Sequence, residues 1–243
     1  MNIGILPNKS QFRNQTIDLI RGVGIVFMVL FNYSVTLRYF GLLNIQPDLH
    51  YRSLPLVIAS VFIFLSGAAA YASFENNKEN FSRRYFIRGS KLLVFAAFIT
   101  LFTAIFVPEG TVYFGILHFF AISSFLIPVF MKYHDLNPTA AVLIILSGIY
   151  LQTRDFSFSY LLWLGFMPEN FTTFDYFPLL PWLGVLLLGI YSGKSIMTRT
   201  NHIKFNNKSA KVFIFLGKNS LTVYLIHQPL LIFFLMLIGY RLF

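Results

Sequence analysis

Long apolar runs, separated by short polar connections, occupy most of the chain from residue 17 onward. A helix needs about 20 mainly apolar residues to cross the roughly 30 Å of hydrocarbon in a bilayer. Seven segments meet or approach this length, and the fifth is the shortest. They are Ile17–Phe40, Leu54–Phe74, Tyr85–Val107, Val112–Met131, Thr139–Gln152, Phe177–Met197 and Leu216–Leu242. The pattern predicts an all-α, polytopic membrane helix bundle with about seven transmembrane helices.

The remaining segments are connections. Phe156–Phe166 is apolar and aromatic but too short to cross, so we predict a surface or re-entrant segment there. The longest polar connections are Asn44–Ser53, Thr153–Asp175 and Arg199–Lys211. No stretch has the composition of a soluble domain, and the expectation is a single membrane domain over residues 1–243.

The basic residues predict the orientation. With seven spans and a cytoplasmic N-terminus, fifteen of the 19 Lys and Arg residues lie at cytoplasmic ends, as the positive-inside rule requires. They are Lys9, Arg13, Arg21, Lys78, Arg83, Arg84, Arg88, Lys91, Lys132, Lys194, Arg199, Lys204, Lys208, Lys211 and Lys218. The opposite orientation leaves only four inside. We therefore predict a cytoplasmic N-terminus and an outer C-terminus.

Composition narrows the function classes. The chain is 56% apolar and only 12% charged, whereas soluble domains carry about 25% charged residues. This excludes a water-soluble globule, a disordered chain and a nucleic-acid-binding domain. The absence of Cys excludes thiolate metal sites and a cysteine nucleophile, and no metal site is predicted. We expect a multi-pass integral membrane protein, in the cell membrane if its source is prokaryotic.

Ionisable and strongly polar side chains inside hydrocarbon are costly, so each is a candidate functional group. In the first span, Arg21 and Asn32 are eleven residues apart, which places them on one helix face with a rise of about 16 Å. Asp18 lies one turn before Arg21 and can pair with it. The alternative is a topology anchor with an Asn that only packs helices.

Histidines supply the candidate proton acceptors. His118 is near the outer end of the fourth span, and a neutral imidazole there can exchange a proton near neutral pH. A structural hydrogen bond to a neighbouring helix is the alternative. His50 lies in the first outer connection. Asp175 opens the sixth span and can orient a histidine, bind a cationic substrate or simply face the helix dipole.

Polar residues also recur in the last span. Ser220, Tyr224, His227 and Gln228 share one helical face, so this stripe faces protein or water rather than lipid. Hydrogen bonding between helices is the favoured interpretation of this stripe, because Pro229 breaks the backbone next to it and a broken backbone needs local polar partners.

A basic cluster, Arg83, Arg84, Arg88 and Lys91, follows the second span on the inner side. Guanidinium groups form bidentate bonds with phosphates. Contact with anionic lipid is the alternative.

Five segments, in order, resemble the heparan-α-glucosaminide N-acetyltransferase catalytic-domain family of the transmembrane acyltransferase superfamily. The resemblance covers nearly the whole chain. The segments are IDLIRGVGIVFMVLFNY (Ile17–Tyr33), FIFLSG (Phe62–Gly67), FGILHFFAISS (Phe114–Ser124), DYFPLLPWLGVLLLGI (Asp175–Ile190) and LGKNSLTVYLIHQPLL (Leu216–Leu231).

The resemblance implies an acetyl-CoA-dependent N- or O-acyltransferase that moves an acetyl group from cytosolic acetyl-CoA to an amino sugar or other glycan on the outer side. It implies acyl-CoA binding by Arg21, Arg83, Arg84 and Arg88. It makes His118 or His50 the acid/base group, and Asn32, Asp175, His227 and Gln228 candidates for contacts with the substrate or the oxyanion. Relatives with more spans are known, so a homo-oligomer is also compatible with the resemblance.

Two other functions use the same residues. In a small-solute transporter or channel, the intramembrane polar groups would line a permeation path. In a non-catalytic membrane subunit, they would only join helices.

Overall fold

The structure, a computed structural model, describes residues 14–44, 49–200 and 202–238. These residues form an all-α fold, as the apolar pattern predicts. The α-helices, in chain order, are α1 Gln15–Tyr39, α2 Leu49–Asn76, α3 Phe81–Phe106, α4 Ile116–Lys132, α5 Asn137–Leu151, α6 Leu179–Thr200, α7 Lys208–Lys218 and α8 Ser220–Leu237. Short 3₁₀ turns lie at Pro108–Gly110, His134–Leu136 and Leu162–Leu164.

The helices that are long and apolar enough to cross a membrane are α1, the Ser53–Asn76 part of α2, α3, α6 and α8, which makes five in the described part of the chain. The predicted fourth and fifth spans form α4 and α5, which pass the same test together but are bent by 107° at the break between Lys132 and His134. Counted as one broken span, the pair raises the number to six. The number of seven stays a prediction.

The seventh predicted span is corrected at its start. The sequence pattern begins it at Leu216, but a helix break at Asn219 separates α7 from α8. Helix α7 also includes part of the predicted polar connection Arg199–Lys211. It forms because the Asn207 side chain accepts the Ala210 N–H at 3.0 Å, and because its buried residues recur at helical spacing. These buried residues are Ala210, Ile214 and Gly217.

By its contacts the chain divides into two compact units. Unit 1 comprises the residues up to Leu65 and those from Ile196 onward, and unit 2 comprises Ser66–Ser195. The expectation of a single domain over residues 1–243 stays a prediction.

Unit 1 is organised around α1. A methyl group on Gly22 would overlap the Phe213 carbonyl of α7, and one on Gly217 would overlap the Asp18 carbonyl of α1. The two helix backbones are therefore in direct contact, which only glycine permits. Helix α8 begins directly after α7. Asn32 of α1 pairs with His227 of α8, and the later Thr36 pairs with the later Gln228, so α8 runs in the same direction as α1.

Unit 2 is also packed through glycines. Gly89 of α3 lies against the Ala121 carbonyl of α4, and Gly184 of α6 lies against the Ala141 carbonyl of α5. The segment predicted as a surface or re-entrant region, Phe156–Phe166, contains a 3₁₀ turn and no α-helix. Its aromatic rings pack on one another, with Phe156 and Phe166 centroids 4.8 Å apart. No sixth long helix arises there.

Candidate functional site

A polar seam joins α1 and α8 within unit 1. The Nδ2 atom of Asn32 lies 3.1 Å from Nε2 of His227, and Nδ1 of His227 lies 2.6 Å from the Tyr224 carbonyl oxygen. The carbonyl can only accept, so Nδ1 carries the proton and donates it. Nε2 then presents its lone pair, which accepts a hydrogen bond from the Asn32 amide. The pair is a neutral imidazole with its basic nitrogen facing an amide donor.

Further hydrogen bonds fix this seam. The Tyr33 hydroxyl donates to the His227 carbonyl at 2.9 Å, and the Thr36 hydroxyl donates to Oε1 of Gln228 at 3.2 Å. Because Oε1 accepts from Thr36, the amide nitrogen is the donor end of Gln228. Pro229, inside α8, has no N–H, and such a break needs local polar partners.

The seam is shielded from solvent but not sealed. His227 is only 7% exposed, whereas Asn32, Tyr33 and Gln228 are half-buried. In a membrane-spanning region of low dielectric, a hydrogen bond is electrostatically stronger than in water, and an unpaired polar group is costly. An incoming N–H or O–H group that replaces the Asn32 amide at Nε2 would meet a base, and Asn32 would then be free to donate to an oxygen.

Arg21 lies on the same helix as Asn32, about 16 Å away by helical rise. Its guanidinium group donates to the Leu65 carbonyl of α2 at 3.3 Å. This contact joins two of the sequence segments that carry the resemblance, Ile17–Tyr33 and Phe62–Gly67. Gly22, the next residue, is the contact point for α7.

His118 belongs to unit 2, where its own helix and α3 use both ring nitrogens. The Gly115 N–H donates to Nδ1 at 3.2 Å, which caps the start of α4. Nε2 lies 3.2 Å from Oγ1 of Thr100, whose hydroxyl donates to the Val112 carbonyl at 2.6 Å. Because the Thr100 proton is already used, Nε2 is the donor. The His118 ring is therefore neutral and has hydrogen-bond partners at both nitrogens.

Asp175 meets His118 at the same helix terminus. Its Oδ2 accepts the Ile116 N–H at 2.9 Å, so a carboxylate from the connection before α6 stabilises the positive end of α4. The adjacent Tyr176 hydroxyl donates to the Leu162 carbonyl at 2.9 Å. Burial raises the pKa of Tyr176 from 10.0 to about 12, so this donor keeps its proton at physiological pH.

The three other candidate phosphate-binding arginines lie on α3 and make different contacts. Arg84 donates to the Ser73 and Asn77 carbonyls at 3.0 and 2.9 Å, which satisfies the C-terminal end of α2. Arg88 lies over the Tyr85 ring at 5.4 Å, and Arg83 is exposed.

His50 lies in the first turn of α2, not in a connection, and its side chain is outside the described part of the structure.

The sequence pattern did not single out Tyr33 and Thr36. Thr36 is one helical turn beyond Asn32, and this i, i+4 spacing on a polar face was the available signal. His134 was also missed. It lies at the α4–α5 bend with its ring 5.3 Å from Tyr71 and 5.5 Å from Tyr191. Among the residues that the structure describes, no group of three or more acidic or histidine side chains could hold a metal ion.

Residues 13–229 match the sequence model of the family described as "Heparan-alpha-glucosaminide N-acetyltransferase, catalytic". The chain belongs to this family. Comparison with the curated proteins and with the solved structures finds no match. The family match confirms the resemblance and identifies the class as a membrane acetyltransferase. The matched region contains both the Asn32–His227 seam and the His118–Asp175 terminus.

Proposed function

We propose that this protein transfers the acetyl group of acetyl-CoA to an amine or hydroxyl group of an amino sugar or related glycan on the outer side of the membrane. The observation that carries the proposal is the 3.1 Å approach of Asn32 Nδ2 and His227 Nε2 inside membrane-spanning helices of an acetyltransferase family. Such a pair supplies a base and an oxyanion donor at one place.

In the proposed reaction, the acceptor amine attacks the carbonyl carbon of the thioester. The C–N bond forms and the C–S bond breaks, and His227 Nε2 takes the proton that the amine loses. CoA leaves as a thiolate and takes up that proton, so the products are an amide and free CoA thiol. The N–H groups of Asn32 and Gln228 would stabilise the negative charge that develops on the carbonyl oxygen.

The cytoplasmic end of α1 is the proposed entrance for the donor. Arg21 would contact the phosphates of acetyl-CoA, because a guanidinium group binds phosphate in a bidentate manner. The pantetheine arm would follow α1 over the interval of about 16 Å between Arg21 and Asn32. Arg83, Arg84 and Arg88 remain candidates by charge, and Arg84 is the weakest because it already binds the end of α2.

His118 and His50 are the competing candidates for the base, and Asp175 is a candidate for binding an acceptor ammonium group. For His118, accepting a proton requires the loss of a hydrogen bond to Gly115. Asp175 is likewise engaged in stabilising the start of α4. His227 has the advantage that its basic nitrogen faces an exchangeable amide partner.

The test uses the purified full chain in vesicles with acetyl-CoA and glucosamine. We expect free CoA thiol and N-acetylglucosamine to appear in equal amounts. His227→Ala should abolish both, whereas His202→Ala, which removes an exposed histidine between α6 and α7, should retain both. Uptake of labelled solute with no thiol release would instead identify a transporter and overturn the proposal.

A further inference from the structure

A groove opens on the surface of unit 1 beside His227. It has a volume of about 280 Å³ and lies between α1 and α8. Val29 and Tyr33 form the α1 wall, and Val223, Ile226, His227 and Leu230 form most of the α8 wall. The polar side chains at the groove are those of Tyr33, Thr222 and His227, so most of its lining is hydrocarbon.

The groove is open to the side. Ile226 and Leu230 are 49% and 57% exposed on a helix that is apolar enough to span the membrane. The exposed apolar surface continues along α8 to Phe233, Phe234 and Leu237. In a bilayer this surface faces lipid chains, so the groove is continuous with the lipid phase.

The size and lining of the groove suit neither an acetyl group nor a sugar. A group the size of a water molecule occupies about 30 Å³, so the groove has room for about nine such groups. An acetyl group has only three heavy atoms and would leave most of the groove empty. A sugar ring carries several hydroxyl groups, and an apolar wall would leave them unpaired at a cost. A hydrocarbon chain fits both the volume and the lining.

The proposed occupant is the tail of the acceptor, not an acyl chain of the donor. A membrane lipid reaches a laterally open groove directly from the bilayer, whereas CoA arrives from water. From Thr222 to Leu230 the groove extends about 12 Å along α8 by helical rise. His227 itself lines the groove, so a head group beside the imidazole leaves its attached tail in the groove.

We propose that the acceptor is lipid-linked, with an amine or hydroxyl group on a sugar head and a hydrocarbon tail held in the α1–α8 groove. This inference rests on the proposed function and specifies its substrate class.

Acceptor chain length provides the first test. Methyl, octyl and dodecyl glucosaminides are supplied with acetyl-CoA to the full-length protein in vesicles, and kcat/KM is measured for each. We expect kcat/KM to rise by at least about tenfold from methyl to octyl. The rise should level off near a chain of about nine carbons, where the groove is full.

Blocking variants separate the groove from simple partitioning into the bilayer. Ile226→Trp fills the groove, and Leu221→Trp adds the same bulk to an exposed position on the opposite side of α8. Ile226→Trp should remove the advantage of octyl over methyl, and Leu221→Trp should keep it. An equal octyl-to-methyl ratio in both variants would overturn the inference. So would a dependence on acyl-CoA chain length without one on acceptor chain length.

A binding measurement tests the groove apart from catalysis. Dodecyl glucosaminide with a diazirine in mid-chain should label peptides that contain Val29 or Ile226, and Ile226→Trp should lose this label while Leu221→Trp retains it. Equal labelling of the two variants would overturn the inference. If no acceptor supports thiol release but the label is specific, the proposed function fails and lipid binding in the groove stands.

Discussion

Asn32 on α1 and His227 on α8 lie 3.1 Å apart through their side-chain nitrogens, although 195 residues separate them in the chain. The Tyr224 carbonyl fixes which histidine nitrogen carries the proton, and the Tyr33 hydroxyl holds the His227 backbone. Each contact lies within unit 1. An amide donor and a basic imidazole nitrogen are thus paired at a depth where isolated polar groups are costly.

If the Asn32 and His227 side chains act together in catalysis, the rate losses caused by removing each one will not be additive. We expect Asn32→Ala to lower the rate of thiol release by about 10²–10³, the range for loss of one oxyanion donor. The Asn32→Ala/His227→Ala double variant should be about as slow as His227→Ala alone, because residues that act together are strongly non-additive. Single-turnover rates on all three proteins measure this, and fully multiplicative losses would refute a shared role.

The contact between α1 and α7 should depend on the lack of a side chain at Gly22. Gly22→Ala forces a methyl group into the Phe213 carbonyl, a backbone atom that cannot rotate away, and should destabilise the protein by about 1–3 kcal/mol. Gly24→Ala is the matched control, since it gains the same helix propensity but meets only the Phe62 ring at 3.0 Å. In detergent, the midpoint temperature of thermal unfolding should fall strongly for Gly22→Ala only. Equal midpoints would contradict the described packing.

Tyr176 should contribute a pH-dependent stabilisation. Its pKa is raised from 10.0 to about 12 by burial, so the folded state favours the neutral phenol. A raised pKa gives stability that is fully present below pH 10 and is lost as the pH rises to about 12. The stability difference between the wild type and Tyr176→Phe should be constant up to about pH 10 and shrink above it. A difference that grows with pH would show the opposite sign of the shift.

Helix directions predict where the chain ends lie. Since α1 and α8 run in the same direction, a chain in which both cross the membrane makes an odd number of crossings. If α2, α3 and α6 also cross, these five helices already make an odd number, so the bent α4–α5 pair should begin and end on the same side of the membrane. Reporter tags at the two ends should become accessible on opposite sides of the membrane, with the N-terminal tag in the cytoplasm. Both tags on one side would contradict parallel crossing of α1 and α8.

The all-α membrane fold was predictable because apolar length alone determines which helices can span a bilayer. Helix α7 was not, because Lys208 and Lys211 make its start resemble a polar connection, and the apolar run from Leu216 joins its end to the last predicted span. The bend between α4 and α5 was also missed, since a span of 17 residues followed by one of 15 resembles two ordinary crossings.

The residues of the candidate site could be predicted from the sequence, but the contacts between them could not. Intramembrane polarity identified Asn32, His118, Asp175, His227 and Gln228. Which of them meet depends on helix packing over long separations, which spacing within one helix cannot give. His118 is the clearest case, because its partners Gly115 and Thr100 carry no charge and give no sequence signal of a shared network.

Comparison of His227→Ala with His118→Ala tests the central claim most directly. The measurement is the turnover number for acetyl transfer from acetyl-CoA to glucosamine by the folded proteins in vesicles. Our account predicts that His227→Ala loses transfer, while His118→Ala keeps it within about tenfold and loses mainly thermal stability, because its hydrogen bonds hold the start of α4. Full transfer by His227→Ala, with loss in folded His118→Ala, would contradict the account and make His118 the base.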